Sequence, residues 1–87
     1  MHMTVKHTTS LICKCPVNGG TDVYEVEFEL DRTMPVETLQ AAIDNATGKT
    51  LFQEDATQLL AAATGTKVRT VGIHGHFRTI CVVTCNS

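Results

Sequence analysis

The sequence predicts an α+β domain in which a four-stranded antiparallel sheet packs against two helices on one face. Alternating apolar and acidic residues between Tyr24 and Leu30 have the period of two that is typical of a half-buried strand. Two stretches with apolar residues at helical spacing follow between residues 35 and 65, and two further strand-like stretches come after them. The order strand, strand, helix, helix, strand, strand is typical of a sheet covered on one side.

The four strands are predicted where short apolar runs alternate with polar residues or end at turn residues. Their predicted bounds are residues 8–15, 23–30, 67–74 and 77–85. Gly75 marks a tight turn between the last two, and a sequential sheet order places the third strand beside the second. In that order Lys67 and Arg69 stand opposite the glutamates of the second strand, and each such pair contributes about 0.2–1 kcal/mol.

Both helices are predicted from apolar residues that recur at spacings of three and four. Pro35 suits the start of the first helix, because its missing N–H costs nothing there, and Gly48 ends that helix. Thr50 and Gln53 have the spacing of a capping box at the start of the second helix, which ends at Gly65. The helices therefore fill the segment between the second and third strands.

Length and composition indicate one small domain without a strong electrostatic signature. Of the 87 residues, we expect 1–7 to form a flexible N-terminal tail and 8–87 to form a single domain. The formal net charge of −2 gives no nucleic-acid footprint, and no apolar run approaches the length of a membrane span, about 20 residues. The first residues lack the apolar segment of a secretory signal, so we expect a cytoplasmic protein with reduced cysteines.

The turn between the first two strands carries the residues best suited to chemistry. Cys15 precedes Pro16, which stops regular strand pairing, and a turn rich in Asn and Gly then leads to Asp22. A thiol at the end of one strand and a carboxylate at the start of the next can face each other, an arrangement that suits a nucleophile with a nearby proton donor or acceptor. The alternative is an ordinary hairpin turn with a small buried cysteine and a solvated aspartate.

These motifs resemble those of QueF, the nitrile reductase of queuosine biosynthesis, and its QueF-like relatives in the tunnelling-fold (T-fold) superfamily. In QueF a catalytic cysteine is followed by proline, a turn containing glycine and, seven residues after the cysteine, a catalytic aspartate. Cys15, Pro16 and Asp22 match that pattern. The family's Val-Glu at a helix start and its Phe-His-Glu-Asp motif are similar to Val36-Glu37 and to Phe52-Gln53-Glu54-Asp55.

The resemblance implies a T-fold with Cys15 and Asp22 as catalytic residues. It also implies that the substrate, a 7-deazaguanine base, is bound by Glu54, which accepts N–H donors of the ring, together with Phe52 and with Gln53 at the position of the family's histidine. The family's pattern does not extend to residues 72–76, where we expect His74 and His76 to be hairpin-turn residues, although His74 can donate a hydrogen bond to the substrate. Phe52 and Phe77 can stack on such a base, although we expect both to lie in the core.

Two departures from the QueF pattern indicate which reaction the chain performs. The serine and two lysines that hold the NADPH phosphates in QueF are absent after Glu37, and Gln53 replaces a histidine. The resemblance therefore implies a QueF-like enzyme without cofactor. It would join Cys15 to the nitrile of 7-cyano-7-deazaguanine as a thioimide and pass the carbon to ammonia or an amine, as in archaeosine formation. The alternatives are an NADPH-dependent reductase and a non-catalytic T-fold protein that binds a purine or pterin.

The remaining expectations concern metal and partners. A zinc site is the main competing chemistry, but the candidate ligands lack the spacing of known zinc motifs, so we expect no metal; these ligands are Cys13, Cys15, His74, His76, Cys81 and Cys85. The resemblance implies a base that is free or carried by tRNA or DNA. It also implies a homo-oligomer of five or ten subunits, in which sheet edges join into a barrel and the sites lie between subunits.

Overall fold

The computed structural model of the chain describes residues 1–84, which form one four-stranded sheet and two helices. In chain order the elements are β1 (Val5–Lys14), β2 (Thr21–Leu30), α1 (Val36–Ala46), α2 (Gln53–Thr64), β3 (Lys67–His74) and β4 (Phe77–Val83). The sheet order is β1-β2-β3-β4, and every neighbouring pair is antiparallel. The predicted α+β class, element order and sequential sheet are confirmed.

The pairing of β2 with β3 sets opposite charges against each other. Lys67 is paired with Glu29 and Arg69 with Glu27, as the sequence predicts. The Lys67 Nζ lies 3.4 Å from Glu29 Oε2, and Lys6 Nζ from β1 lies 3.7 Å from Glu29 Oε1. These side chains are partly exposed, so each pair adds at most about 1 kcal/mol and mainly favours the observed register.

The core lies between the helices and one face of the sheet, because the alternating residues of each strand point to opposite sides. Leu60 of α2 and Leu39 of α1 pack there against the strands. The strand residues buried in this layer include Leu11, Tyr24, Val26, Phe28 and Val68. The other face of the sheet is not covered by any element among residues 1–84, and several of its apolar side chains are exposed: Ile12, Val23, Ile73, Ile80 and Val82.

The structure corrects the predicted boundary between the N-terminal tail and the domain. The flexible tail is wrong for residues 5–7, because β1 begins at Val5, which pairs with Leu30 at the far end of β2. A strand as long as β2 offers backbone partners along its whole length, and β1 extends to use them. The predicted end of the last strand at Cys85 lies outside the described residues; within them β4 ends at Val83.

The outer edge of β1 is partly covered by the link between the helices. Gly48 N–H donates to Ile12 O (2.8 Å), Lys14 N–H donates to Lys49 O (2.9 Å), and Leu51 N–H donates to Lys14 O (3.2 Å). Residues 48–51 therefore form a short parallel bridge beside the end of β1. The outer edge of β1 is therefore not free at this end, where the resemblance implies an edge that joins the sheet of another subunit.

No helix within residues 1–84 is long and apolar enough to cross a membrane.

Candidate active site

Cys15 follows β1 directly, and its backbone is held by the turn that leads to β2. Its N–H donates to Gly20 O (2.7 Å), and its carbonyl accepts from Gly19 N–H (2.9 Å). Gly19 has a φ of +72°, which side chains rarely tolerate, and Asn18 Oδ1 accepts a hydrogen bond of 2.8 Å from Gly20 N–H. Both backbone groups of Cys15 are satisfied inside the turn, so the position of the thiol is well defined.

The six predicted site residues come together in one cleft of about 330 Å³, which we call the Cys15 cleft. They reach it from the β1–β2 turn, the start of β2, the start of α2 and the end of β3: Cys15, Asp22, Phe52, Gln53, Glu54 and His74. Its volume lies in the range of small-molecule sites, about 300–1,000 Å³. The structure thus brings together residues that are up to 59 positions apart in the sequence.

A larger depression of about 490 Å³ lies on the uncovered face of the sheet. Its lining combines hydroxyl and charged side chains, such as Thr8, Ser10, Glu27 and Arg69, and contains no thiol and no aromatic ring. We assign the candidate active site to the Cys15 cleft because nucleophile, carboxylates and aromatic rings meet there.

The environments of Cys13 and Cys15 differ sharply. Cys13 is 1% exposed, and its Sγ lies 3.8 Å from the carbonyl oxygen of Ala46. Burial, with a smaller contribution from the charge of Asp22, raises the pKa of the Cys13 thiol, which disfavours the reactive thiolate. Cys15 is only partly buried and lines the cleft, so it is the better placed of the two as a nucleophile.

Cys81 on β4 is a partly buried thiol outside the lining of the Cys15 cleft. Burial raises its pKa, the charge of Glu54 raises it further, and hydrogen bonds with Thr70 and Thr57 act in the opposite direction. Cys81 is therefore a second thiol kept in its neutral form by its surroundings.

Tyr24 lines the Cys15 cleft, although the alternating pattern of β2 by itself indicates only a buried residue at this position. Its ring is 1% exposed, while its hydroxyl donates a hydrogen bond of 3.2 Å to Asp22 Oδ2. Burial, followed by the charge of Asp22 and this hydrogen bond, strongly raises the pKa of Tyr24, so the phenol stays neutral and remains a donor. The available signal was its position two residues after Asp22, on the same face of β2.

Gln53 does not take part in a capping box. It is the first residue of α2, no side chain caps the helix at Phe52, and Gln53 is 1% exposed. Its Nε2 lies 3.0 Å from Thr79 O, and its Oε1 lies 2.7 Å from His74 Nε2. The capping prediction is wrong because the helix starts later than it requires and the amide finds tertiary partners instead.

Phe52 and Phe77 are exposed by 52% and 76%, and both line the Cys15 cleft. The expectation that they belong to the core is therefore wrong. Glu54 lies exposed in the first turn of α2, as predicted, and lines the same cleft. Two aromatic rings and a carboxylate at one opening suit a flat ligand that carries N–H donors.

His74 and His76 flank the turn between β3 and β4. His74 is partly buried and lines the cleft, whereas His76 is exposed. Among residues 1–84, no group of three or more His, Cys, Asp or Glu side chains is arranged to hold a metal ion. Cys85, the last ligand of the zinc alternative, lies outside the described residues.

Comparisons with known proteins bear on the fold. No protein-family model matches the chain, and no curated protein sequence matches it. Among solved structures, it is similar to the crystal structure of the archaeosine synthase QueF-Like in the apo form. The TM-score is 0.80 at 19% sequence identity, over 97% of this chain and 95% of that one.

The two chains share one fold. The T-fold inferred from the QueF-like motifs is thereby confirmed for nearly the whole chain. At this level of identity the likeness concerns the fold, and the activity has to be argued from the residues of the cleft.

Proposed function

We propose that this chain is a QueF-like enzyme that forms a thioimide between Cys15 and the nitrile of 7-cyano-7-deazaguanine, and then transfers the carbon to ammonia or another amine. One observation carries the proposal. A partly buried thiol, two carboxylates and two exposed aromatic rings line one cleft, in the fold of a protein described as an archaeosine synthase.

The first step is the addition of the Cys15 thiol across the nitrile. The S–C bond forms, one π bond of the C≡N group breaks, and the proton ends on the nitrogen. The Asp22 carboxylate takes the proton of the thiol as the S–H bond breaks and delivers it to the nitrogen, and the Tyr24 hydroxyl holds the Asp22 carboxylate in place. An amine then attacks the thioimide carbon, the C–S bond breaks, the thiol takes back a proton, and the product is an amidine.

The base is held by the aromatic rings and by Glu54. Phe52 and Phe77 offer exposed faces for stacking, which stabilises a flat heterocycle without requiring polar partners. Glu54 accepts two N–H donors from the guanine-like edge, a pairing that favours guanine-type over adenine-type rings. The base is free or carried by tRNA or DNA.

The transfer to an amine rather than hydride is supported by α1. In the resemblance to QueF, this helix would supply a serine and two lysines for the NADPH phosphates, but Val36–Ala46 contains no lysine or arginine and has Glu37 in its first turn. Phosphate groups need cations or N–H donors, so these residues do not fit the dinucleotide. An NADPH-dependent reductase remains the second candidate only if the cofactor is held by other contacts.

The proposed assembly is a ring of five or ten subunits with the sites between them. The outer edges of β4 and of the first part of β1 have no strand partner within residues 1–84, and open edges of this kind favour association. Exposed apolar residues on the uncovered face of the sheet add to that tendency.

Intact-mass spectrometry with 7-cyano-7-deazaguanine tests the proposal. We expect the protein mass to rise by one equivalent of the base, Cys15→Ala to abolish the adduct, and the matched variant Cys13→Ala to retain it. An adduct that depends on Cys13 would refute the assignment, and no adduct in the wild type would favour a non-catalytic binding protein. Addition of ammonium should release an amidine, whereas consumption of NADPH absorbance would favour the reductase.

A further inference from the structure

The side-chain amide of Gln53 has one possible orientation. Its nitrogen faces two backbone carbonyls, Thr79 O at 3.0 Å and Thr70 O at 3.3 Å, and carbonyl oxygens only accept hydrogen bonds. The reverse orientation would place three oxygens together in a buried site. Oε1 of Gln53 must therefore be the atom that lies 2.7 Å from Nε2 of His74.

The donor and acceptor roles of the hydroxyl groups around Gln53 are fixed in the same way, because each hydroxyl has one proton to donate. Thr57 Oγ1 donates its one proton to Gln53 O (2.7 Å), so in its contact of 2.7 Å with Thr70 Oγ1 it accepts, and Thr70 donates. Thr70 Oγ1 in turn accepts from Gln53 Nε2 (3.1 Å). These bonds form a buried network, which the Cys81 thiol also joins through Thr70 and Thr57.

The orientation of the Gln53 amide dictates the proton position on His74. An amide oxygen cannot donate, so Nε2 of His74 carries the proton that it shares with Gln53 Oε1. A neutral imidazole has one proton, and Nδ1 is then the acceptor. Because His74 lines the Cys15 cleft and Nε2 is engaged by a buried residue, Nδ1 is the ring nitrogen left for a ligand.

We infer that Gln53 is a positioning residue that locks His74 as the Nε2–H tautomer, so that His74 serves the Cys15 cleft as a hydrogen-bond acceptor. Together with Asp22 and Glu54, this makes the polar lining rich in acceptors. The cleft therefore selects ligands whose edge carries several N–H donors. The inference rests on the proposed function only for the choice of ligand, because the tautomer is a property of the free protein.

Nitrogen-15 NMR of the free protein tests the tautomer directly. The spectrum is recorded at about pH 8.5, roughly two units above the ordinary imidazole pKa. We expect a directly bonded, slowly exchanging proton on Nε2 of His74, and none on the exposed His76, which serves as the control. A proton on Nδ1 of His74, or exchange as fast as at His76, would overturn the inference.

Two variants separate positioning from general loosening of the core. Gln53→Met keeps the size of the side chain but removes the acceptor, so the His74 signal should disappear. Thr57→Val removes a hydroxyl of the same network without touching His74, so the signal should remain. The same response in both variants would contradict the inference, and if Gln53→Met fails to fold, the wild-type spectrum decides alone.

Binding of 7-cyano-7-deazaguanine to His74 variants, in a Cys15→Ala background that prevents the adduct, tests the acceptor role. His74→Gln places its amide near the former Nε2 position and keeps the contact with Gln53, so it should bind about fivefold more weakly, the value of one neutral hydrogen bond. His74→Asn places its amide near the former Nδ1 and should lose less. The reverse order would refute the role of Nδ1. If no variant and no wild type binds the base while the Nε2 proton is protected, the proposed function fails and the positioning role stands.

Discussion

Gly72→Ala tests how tightly the floor of the Cys15 cleft is packed. Gly72 lies in β3, and a Cβ at this position would meet Tyr24 Cδ1 at 2.7 Å, Tyr24 Cε1 at 2.8 Å and Gln53 Oε1 at 2.8 Å. Ordinary contacts of a Cβ begin at about 3.4 Å, so either the ring and the amide or the strand must move by several tenths of an ångström. Glycine at this position lets the buried phenol and the buried amide lie directly on the strand.

The magnitude follows from what surrounds these two side chains. Both are 1% exposed, Tyr24 is tied to Asp22, and Gln53 is tied to its hydrogen-bond network, so neither can simply rotate away. Overpacking of a core by one methyl group costs about 1–3 kcal/mol, and we expect about 2 kcal/mol here. In a domain of this size that lowers the melting temperature by about 8–16 °C.

Thermal unfolding and the rate of adduct formation are measured together, with Gly75→Ala as the matched control. Gly75 has a φ of +62° and open space where a Cβ would lie, so alanine there costs backbone strain of about 1 kcal/mol without touching the cleft. We expect both variants to lose stability, but only Gly72→Ala to slow the adduct, because it displaces the partners of Asp22 and His74. A Gly72→Ala protein as stable and as reactive as the wild type would refute this account of the packing.

Three further predictions concern the ligand, pH and assembly. Glu54→Gln should weaken binding of the base by roughly 1.5–3 kcal/mol in calorimetry. The control Asp55→Asn, also in the first turn of α2, should change the free energy of unfolding by only a few tenths of a kcal/mol. Unchanged affinity in Glu54→Gln would mean that Glu54 only stabilises the helix terminus. Folding raises the pKa values of Cys13, Cys81 and Tyr24, so the native chain keeps protons that the unfolded chain releases at high pH. In urea denaturation the free energy of unfolding should therefore fall above about pH 8.5, by up to about 1.4 kcal/mol per pH unit for each group. Cys13→Ala should flatten this slope between about pH 8.5 and 10, and an unaltered slope would contradict it. Sedimentation should give five or ten subunits, and a stable monomer at micromolar concentration would count against the shared site.

The arrangement of the elements was predictable because it depends on local periodicity. The alternation in β2 and the spacing of apolar residues in the helices are short-range signals, and the bounds of β3, Lys67–His74, were predicted to the residue. The start of β1 was not, because Val5 is in a strand only by virtue of its partner Leu30. Its own neighbourhood contains no strong strand signal.

The residues of the site were largely predictable from the sequence, whereas their hydrogen-bond partners were not. Cys15, Asp22 and Glu54 were found through short motifs, but the partners of Gln53 lie 17 to 26 residues away in the sequence. A local pattern such as the capping box contains no information about such distant partners, and it assigned Gln53 to the wrong hydrogen bond. The exposure of Phe52 and Phe77 was missed for a related reason: an aromatic residue next to a core stripe looks the same in sequence whether it packs inward or lines a cleft.

The bridge that residues 48–51 form beside β1 limits which sequence changes this segment tolerates. The same residues lead into α2, which carries Glu54. Their backbone is hydrogen-bonded to Lys14, one position before Cys15. The backbone of residues 48–51 therefore fixes the distance between Cys15 and Glu54. An inserted or deleted residue would shift that distance by about 3.3 Å, more than a hydrogen bond tolerates. Substitutions at positions 49–51 leave this distance unchanged, whereas Gly48 has a φ of +79° that disfavours any other residue, and a change in the length of the segment alters the distance itself.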